Sequence, residues 1–353
     1  MSEPLTPLLM EGTGPASLAE VMQEVETLEQ NGRGERMRPI PTGFTPLDDI
    51  LNGGIRAGEL LMIGGAFGVG KTIWALQVAR NAVLSDPGVR ALYICYEHDR
   101  PHLLSRLLCL ESAERGYRDD ALTLRKLADL SLGGGGAQGR GVINRLRSVP
   151  RYADILRGMD AYADRLVLAK ASGDHTGLDQ VRSWVQDEVA AAAAVAAGAQ
   201  RLLVVVDYLQ KIPVRLSALE EETEATTFLT QGLKEMAMAM GVQVIAIAAS
   251  DRLGLKAKRM RLSDLRGSSA LQYEADIGLI LNNKFAILSR EHMIYNPAGA
   301  DAMRNWVVIS VEKNRAGRNA VDMEFQLDAS HFRMVSRGDF VRERLVDEKV
   351  VLE

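Results

Sequence analysis

Cysteine is nearly missing from this chain of 353 residues, which carries only Cys95 and Cys109. Two thiols make no disulfide framework. Cys95 lies in an apolar run and Cys109 in a Leu-rich stretch, so both read as small buried hydrophobes. Histidine is equally sparse, and five scattered imidazoles without ligand spacing predict no structural metal. Uninterrupted apolar runs of membrane-spanning length are absent, and the start, Met1-Ser2-Glu3-Pro4, has neither the basic nor the apolar part of a signal peptide. The expected location is therefore cytoplasmic, with no membrane partner. A strong net charge is lacking too. At −4 the chain offers no global attraction to nucleic acid, so any DNA-binding surface must be local.

What is present begins with Gly65-Ala66-Phe67-Gly68-Val69-Gly70-Lys71-Thr72, which matches G-x-x-x-x-G-K-[ST]. A triphosphate needs a concave row of backbone N–H groups at a helix N-terminus, and glycines present one without Cβ clashes. The context fits. Glu59–Ile63 reads as a buried strand before the turn, and Thr72 to Arg80 as an amphipathic helix after it. Gly65, Gly68, Val69, Gly70, Lys71 and Thr72 are thus expected to bind ATP phosphates, with Lys71 on the β/γ-phosphates and the Thr72 hydroxyl on Mg²⁺.

Strand-like runs alternate with helical patterns from Pro41 onward, which predicts a parallel sheet covered by helices. The expected strands are Glu59–Ile63, Ala91–Tyr96, Leu202–Val206, Val242–Ala248, Ile277–Leu281, Trp306–Glu312 and Met323–Leu327. Between the second and third lies a long region read as helical, broken by the glycine-rich stretch 133–141. Residues 1–40 read as a mobile start plus an amphipathic helix at about 17–31, opened by the capping box Ser17-Leu18-Ala19-Glu20 and stopped by Gly32. A second capping box, Thr176-Gly177-Leu178-Asp179, is expected to open the helix ending in Ala190–Ala194. Residues 41–336 form the main domain, and 337–353 a charged, peripheral tail.

A phosphate loop does not hydrolyse ATP alone. A carboxylate must complete the Mg²⁺ shell and another must activate water. Leu202 to Val206 ends in Asp207, at the carboxyl edge of the expected sheet beside Thr72, which makes Asp207 the metal-side acid, with a helix cap as the plain alternative. Glu97 closes the strand Leu92–Tyr96 at the same edge and is the candidate general base, although an acid after a strand is common.

Taken in order, these segments resemble the motor domain of the DnaB family of hexameric replicative helicases. The matching pieces are Pro41-Thr42-Gly43-Phe44-Thr45-Pro46-Leu47-Asp48, the phosphate loop, Glu97, Asp207-Tyr208-Leu209-Gln210, the run from Ser263 to Asp276 and Lys313-Asn314-Arg315-Ala316-Gly317. The resemblance covers roughly residues 17 to 330. It implies a RecA-like P-loop NTPase fold with a mostly parallel central sheet, and an ATP-hydrolysing ring, hexameric, that translocates 5′ to 3′ on single-stranded DNA or unwinds DNA in replication. It also implies that Lys313 and Arg315 reach into the ATP site of the adjacent subunit as catalytic cations, where a solvated strand end is the plain alternative.

DNA contacts are expected from one basic run, Arg252, Lys256, Lys258, Arg259, Arg261 and Arg266, and the resemblance implies contacts from the Asp-Leu-Arg-Gly segment, matching Arg266 and Gly267. Such a loop tracks a strand by its phosphates without reading sequence. A merely solvated basic loop is the alternative. Two departures from the family stand out: Ala249 occupies the place of a γ-phosphate-sensing glutamine, so that either Ser250 or Asp251 takes over the coupling or nucleotide state and DNA grip are linked differently, and the helical N-terminal domain of the replicative enzymes is not seen. The competing expectation is a KaiC-like or regulatory ATPase that switches a protein partner without unwinding.

Overall fold

The computed structural model describes residues 14–31, 34–132, 141–194, 201–214, 222–250, 257–265, 267–288 and 297–346. One sheet organises them. Its strands are Leu60–Gly65 (β1), Val89–Cys95 (β2), Leu166–Lys170 (β3), Arg201–Asp207 (β4), Gln243–Ile247 (β5), Ile277–Asn283 (β6), Trp306–Asn314 (β7), Val321–Asp328 (β8), Arg333–Met334 (β9) and Asp339–Phe340 (β10). They lie in the order β10-β8-β7-β6-β1-β5-β4-β2-β3, with β9 on β8.

From β6 to β3 every pairing is parallel, whereas β7, β8, β9 and β10 extend the sheet antiparallel. The fold is therefore the RecA-like, mostly parallel arrangement expected. Successive side chains in a strand point to opposite faces, and both faces are buried. On one face Leu61, Ile63, Tyr93 and Val205 pack under Trp74 and Val78 of Lys71–Ser85 (α3). On the other, Met62, Val204 and Val244 pack under Val181 of Leu178–Ala194 (α4) and Leu233 of Glu222–Met240 (α5).

Arg100–Glu114 (α6) carries residues of the site and is fastened to α3 by a buried ion pair, Arg80 Nε to Glu111 Oε1 at 2.6 Å. The Tyr162 hydroxyl donates to the same carboxylate at 2.6 Å. A buried pair with its remaining valences filled fixes geometry, because losing either partner strands a charge in the core.

Three expectations change. The region between the second and third expected strands contains β3, a five-residue strand that among the described residues pairs only with β2. The segment after Arg337 does not stay peripheral as far as Val346: β10 joins β8, Leu345 is buried, and the buried ammonium of Lys284 is paired by both Glu324 and Glu343. A cation inside the fold requires counter-charge, and the tail brings half of it. At the expected capping box of α4, the Thr176 hydroxyl instead accepts from the Ser172 N–H at 3.0 Å. The N-terminal helix, Leu18–Gln30 (α1), has its capping box, with Glu20 N–H donating to Ser17 Oγ and Ser17 N–H to Glu20 Oε2. Yet it buries nothing within the chain, leaving Leu18 76% and Met22 61% exposed. Gly32, and the glycine stretch up to residue 140, lie outside the described residues. Both cysteines are free and buried, and burial pushes the Cys109 thiol up to about 12.

Candidate functional site

The turn between β1 and α3 is shaped by glycine. Gly70, the residue before α3, has φ 103°, ψ 14°, a left-handed conformation that costs any residue with a Cβ, and it delivers Lys71 and Thr72 to the first turn of the helix. A cavity of about 270 Å³ opens there, lined among others by Lys71, Thr72, Glu97, Arg106, Asp207 and Ser250. Gly68 and Gly70 line it too, while Gly65 and Val69 are buried beneath. Parallel topology explains the convergence: β1, β2, β4 and β5 all point their carboxyl ends to one edge, so the residues that follow them meet.

Asp207 is buried at the end of β4, and its two oxygens are divided. Oδ2 accepts from the Tyr93 hydroxyl at 2.8 Å, and Oδ1 faces the Thr72 hydroxyl at 3.4 Å. Burial pushes its carboxyl above the usual carboxylate range, against the pull of the Tyr93 and Thr72 hydrogen bonds. A hydroxyl and a carboxylate side by side form a hard oxygen pair that suits Mg²⁺, which uses few protein ligands and takes the rest from phosphates and water. Glu97 lies exposed at the rim, just before Asp99, the residue that caps α6 through the His102 N–H at 2.9 Å. Among the described contacts its side chain has neither hydrogen bond nor ion pair.

Lys71 is folded onto its own loop, with Nζ donating to the Gly65 and Ala66 carbonyls at 2.7 and 2.8 Å. Burial lowers its ammonium to about 8, against the opposing charges of Asp207 and Glu97. The sign of the consequence is definite. Above pH 8 the nucleotide-free protein holds neutral Lys71, so a triphosphate must bring a proton with it. Affinity for nucleotide is expected to fall by up to about tenfold per pH unit above pH 8, with proton uptake visible as a buffer-dependent enthalpy in titration calorimetry. A flat affinity from pH 7 to 9.5 contradicts it.

Arg106 was not among the residues expected at the site. It projects from α6 into the cavity, where its Nε donates to His102 Nε2 at 3.1 Å and its NH2 contacts His98 Nε2 at 2.9 Å. The two imidazoles stack at 4.6 Å, and the guanidinium lies 5.0 Å from the Phe332 ring. Burial, then the neighbouring cation, lowers the pKa of both histidines, keeping them neutral and able to accept. No carboxylate pairs with Arg106 among the described ion pairs, so its charge is available to the cavity. The signal was the i, i+4 spacing of His102 and Arg106 on a helix that starts three residues after Glu97.

Lys313 and Arg315 stand elsewhere. The register sets Lys313 beside Gly278 and Asn314 beside Ile277, at the amino end of β6. Lys313 donates to the carbonyls of Gln272 and Tyr273, and Arg315 donates to that of Tyr273 at 2.5 Å and forms an ion pair with Asp276 at 3.7 Å. From Arg315 to the phosphate loop is roughly 15 Å along the strands and about 10 Å across them, so the pair cannot serve its own chain's cavity.

The basic run divides as well. Arg252, Lys256 and Arg266 lie outside the described residues, Lys258 is exposed, and Gly267 (φ 73°) precedes the short helix Ser268–Glu274 (α7). Arg259 is a correction. It is buried and pairs with Asp322 at 2.5 Å, so its charge serves the fold. Arg261 is held similarly, by Glu312 at 3.2 Å and through its N–H by Asp264. Gln210 supplies an unforeseen tie, its Oε1 accepting from the Ala249 N–H at 2.9 Å and joining the ends of β4 and β5.

Comparison with known proteins places this geometry. Residues 39–127 and 168–334 match the family described as the DnaB-like helicase C-terminal domain. The replicative DNA helicase DnaB of Mycoplasma pneumoniae is 26% identical over 319 residues, covering 89% of this chain and 61% of the relative. That of Geobacillus stearothermophilus is 26% identical over 305 residues, covering 85% and 57%. The chain thus spans about three fifths of the length of these relatives. Among solved structures, one described as an ATPase domain superposes with a TM-score of 0.67 at 20% identity, over 91% of this chain and 99% of the other. A DnaB-like replicative helicase, described with its interactions with primase, gives 0.66 at 20% identity, over 92% and 68%.

Proposed function

This chain belongs to the family of DnaB-like helicase C-terminal domains, and from that membership we propose that it is an ATP-driven motor that assembles as a ring, hexameric by family, and moves 5′ to 3′ on single-stranded DNA. The observation that carries the reading is the split of the charged set: Lys71, Thr72, Glu97 and Asp207 meet at one edge of the sheet, and Lys313 with Arg315 at the other. A site divided in this way is finished by a neighbour. The regulatory-ATPase alternative is not favoured, since the family match covers residues 39–127 and 168–334, the segments that carry the motor motifs.

In this mechanism the phosphate loop's N–H groups and Lys71 hold the triphosphate. Thr72 and Asp207 would hold Mg²⁺, which when bound would neutralise phosphate charge. Glu97 orients water at the rim and accepts its proton. Lys313 and Arg315 of the next subunit then meet the charge that develops on the terminal phosphate. Lys258, with Arg252, Lys256, Arg266 and Gly267, contacts DNA phosphates, and the exposed apolar stripe of α1 packs on the adjacent subunit.

ATP turnover measured with and without single-stranded DNA at low salt, together with particle mass in nucleotide, tests this directly. Turnover is expected to rise several-fold with DNA, and the mass to be a multiple of 38.6 kDa. DNA binding that is absent at low salt sinks the motor reading. Binding that survives high salt unchanged removes the phosphate contacts instead.

A further inference from the structure

Phe67 and Tyr273 are the two most exposed aromatic side chains among the described residues, at 77% and 76%. Each stands beside one half of the divided site. Phe67 is the third residue of the phosphate loop and lines the nucleotide cavity, where Asp207 and Glu97 supply negative charge. Tyr273 belongs to α7, and its carbonyl accepts from Lys313 Nζ at 3.1 Å and from Arg315 at 2.5 Å. A single exposed aromatic is ordinary, but one at each half of a composite site, with opposite charge around the two, points to a face that another copy covers. The pair cannot close within one chain. Asp276, three residues after Tyr273, accepts from the Leu60 N–H at 2.8 Å, which sets Tyr273 by the amino end of β1, whereas Phe67 follows its carboxyl end. The strand between them spans about 17 Å. Surfaces at opposite ends of one strand meet head to tail between copies, the kind of contact that closes a ring.

We infer that Tyr273 of one subunit packs on Phe67 of the next, and that this aromatic contact positions Lys313 and Arg315 over the neighbour's cavity. The inference rests on the shared-site reading and names what aligns the two halves. Lys313 and Arg315 are both held to the Tyr273 carbonyl, so seating the Tyr273 side chain on the phosphate loop carries both cations to it. Neither aromatic touches a reacting atom, and both are positioning residues. Aromatic pairs of this kind contribute about three- to tenfold to association beyond the area they bury.

The full chain is tested as Phe67→Ala, Tyr273→Ala, the double variant and Tyr273→Phe. Either alanine variant is expected to raise the protein concentration needed for assembly by about three- to tenfold, and the double variant to stay within about twofold of the worse single, because one contact is lost only once. Where assembly persists, turnover falls about ten- to hundredfold while affinity for a non-hydrolysable ATP analogue and the melting temperature hold. Tyr273→Phe keeps the aromatic face and is expected to behave as wild type. The contact itself is read without turnover by mixing Phe67→Cys protein with Tyr273→Cys protein in nucleotide and adding a short bis-maleimide, the native Cys95 and Cys109 being buried. The mixture is expected to yield linked pairs of chains, and either variant alone none. Unlinked chains in protein whose mass shows assembly, or additive losses in the double variant, overturn the aromatic contact and leave the shared site standing. Weakened analogue binding in Phe67→Ala overturns it in favour of a nucleotide contact, and weakened oligonucleotide binding in assembled Tyr273→Ala in favour of DNA. Protein that stays at single-chain mass in nucleotide overturns the contact and the shared site together.

Discussion

Protein carrying Lys71→Ala and protein carrying Arg315→Ala, each expected to be inert alone, are expected to recover ATP turnover when mixed. Arg315 sits at the amino end of β6 and Lys71 beyond the carboxyl end of β1, so the two mutations disable different halves of different sites. A trans cation of this kind contributes about 10³ to 10⁵ in rate, and the phosphate-loop lysine is needed in the same site, so either variant alone should fall to background. In a random 1:1 ring, about a quarter of the interfaces pair an intact loop with an intact finger, and turnover should return to about that fraction. Arg315 is half exposed and gives the fold only its contacts to Tyr273 and Asp276, so its loss is expected to leave the melting temperature nearly unchanged. Persistent inactivity of the mixture, with both variants still binding nucleotide and assembling, would falsify the shared site.

Glu97→Gln is expected to lower kcat by about 10² to 10⁴ while nucleotide affinity stays within about threefold. The substitution keeps the shape and removes only the ability to take a proton. It is a clean test because Glu97 is exposed at the cavity rim and supports nothing else in the described structure. By contrast, Asp207 is buried and bonded to Tyr93, so its replacement mixes catalysis with folding. A Glu97→Gln enzyme within tenfold of wild type assigns the water to another group.

What was legible in the sequence follows from how local each constraint is. The phosphate loop could be read because its chemistry demands glycines at fixed offsets before Lys-Thr. Asp207 and Glu97 could be read because an apolar strand ending in an acid has one obvious destination in a parallel sheet. The edge strand β3 escaped because Leu166–Lys170 is short, only partly buried and set among helical patterns. Arg259 was misread for a different reason: its partner Asp322 is 63 residues away, and no local pattern announces that pairing. The same holds for Arg106, whose setting needs α6 and Phe332 brought together by the fold. Lys313 and Arg315 were singled out by the family resemblance, since a strand end with two cations has no intrinsic meaning. Their remoteness from their own cavity is a fact of register that only the sheet reveals.

The placement of Lys313 and Arg315 across the sheet from the phosphate loop has a consequence for inheritance. On the proposed shared site, a subunit lacking Arg315 keeps its own loop and spoils its neighbour's site, so the damage lands on a healthy gene product. In a cell expressing both alleles, such a lesion acts dominantly, and the severity is set by how many sound copies stand next to a faulty one.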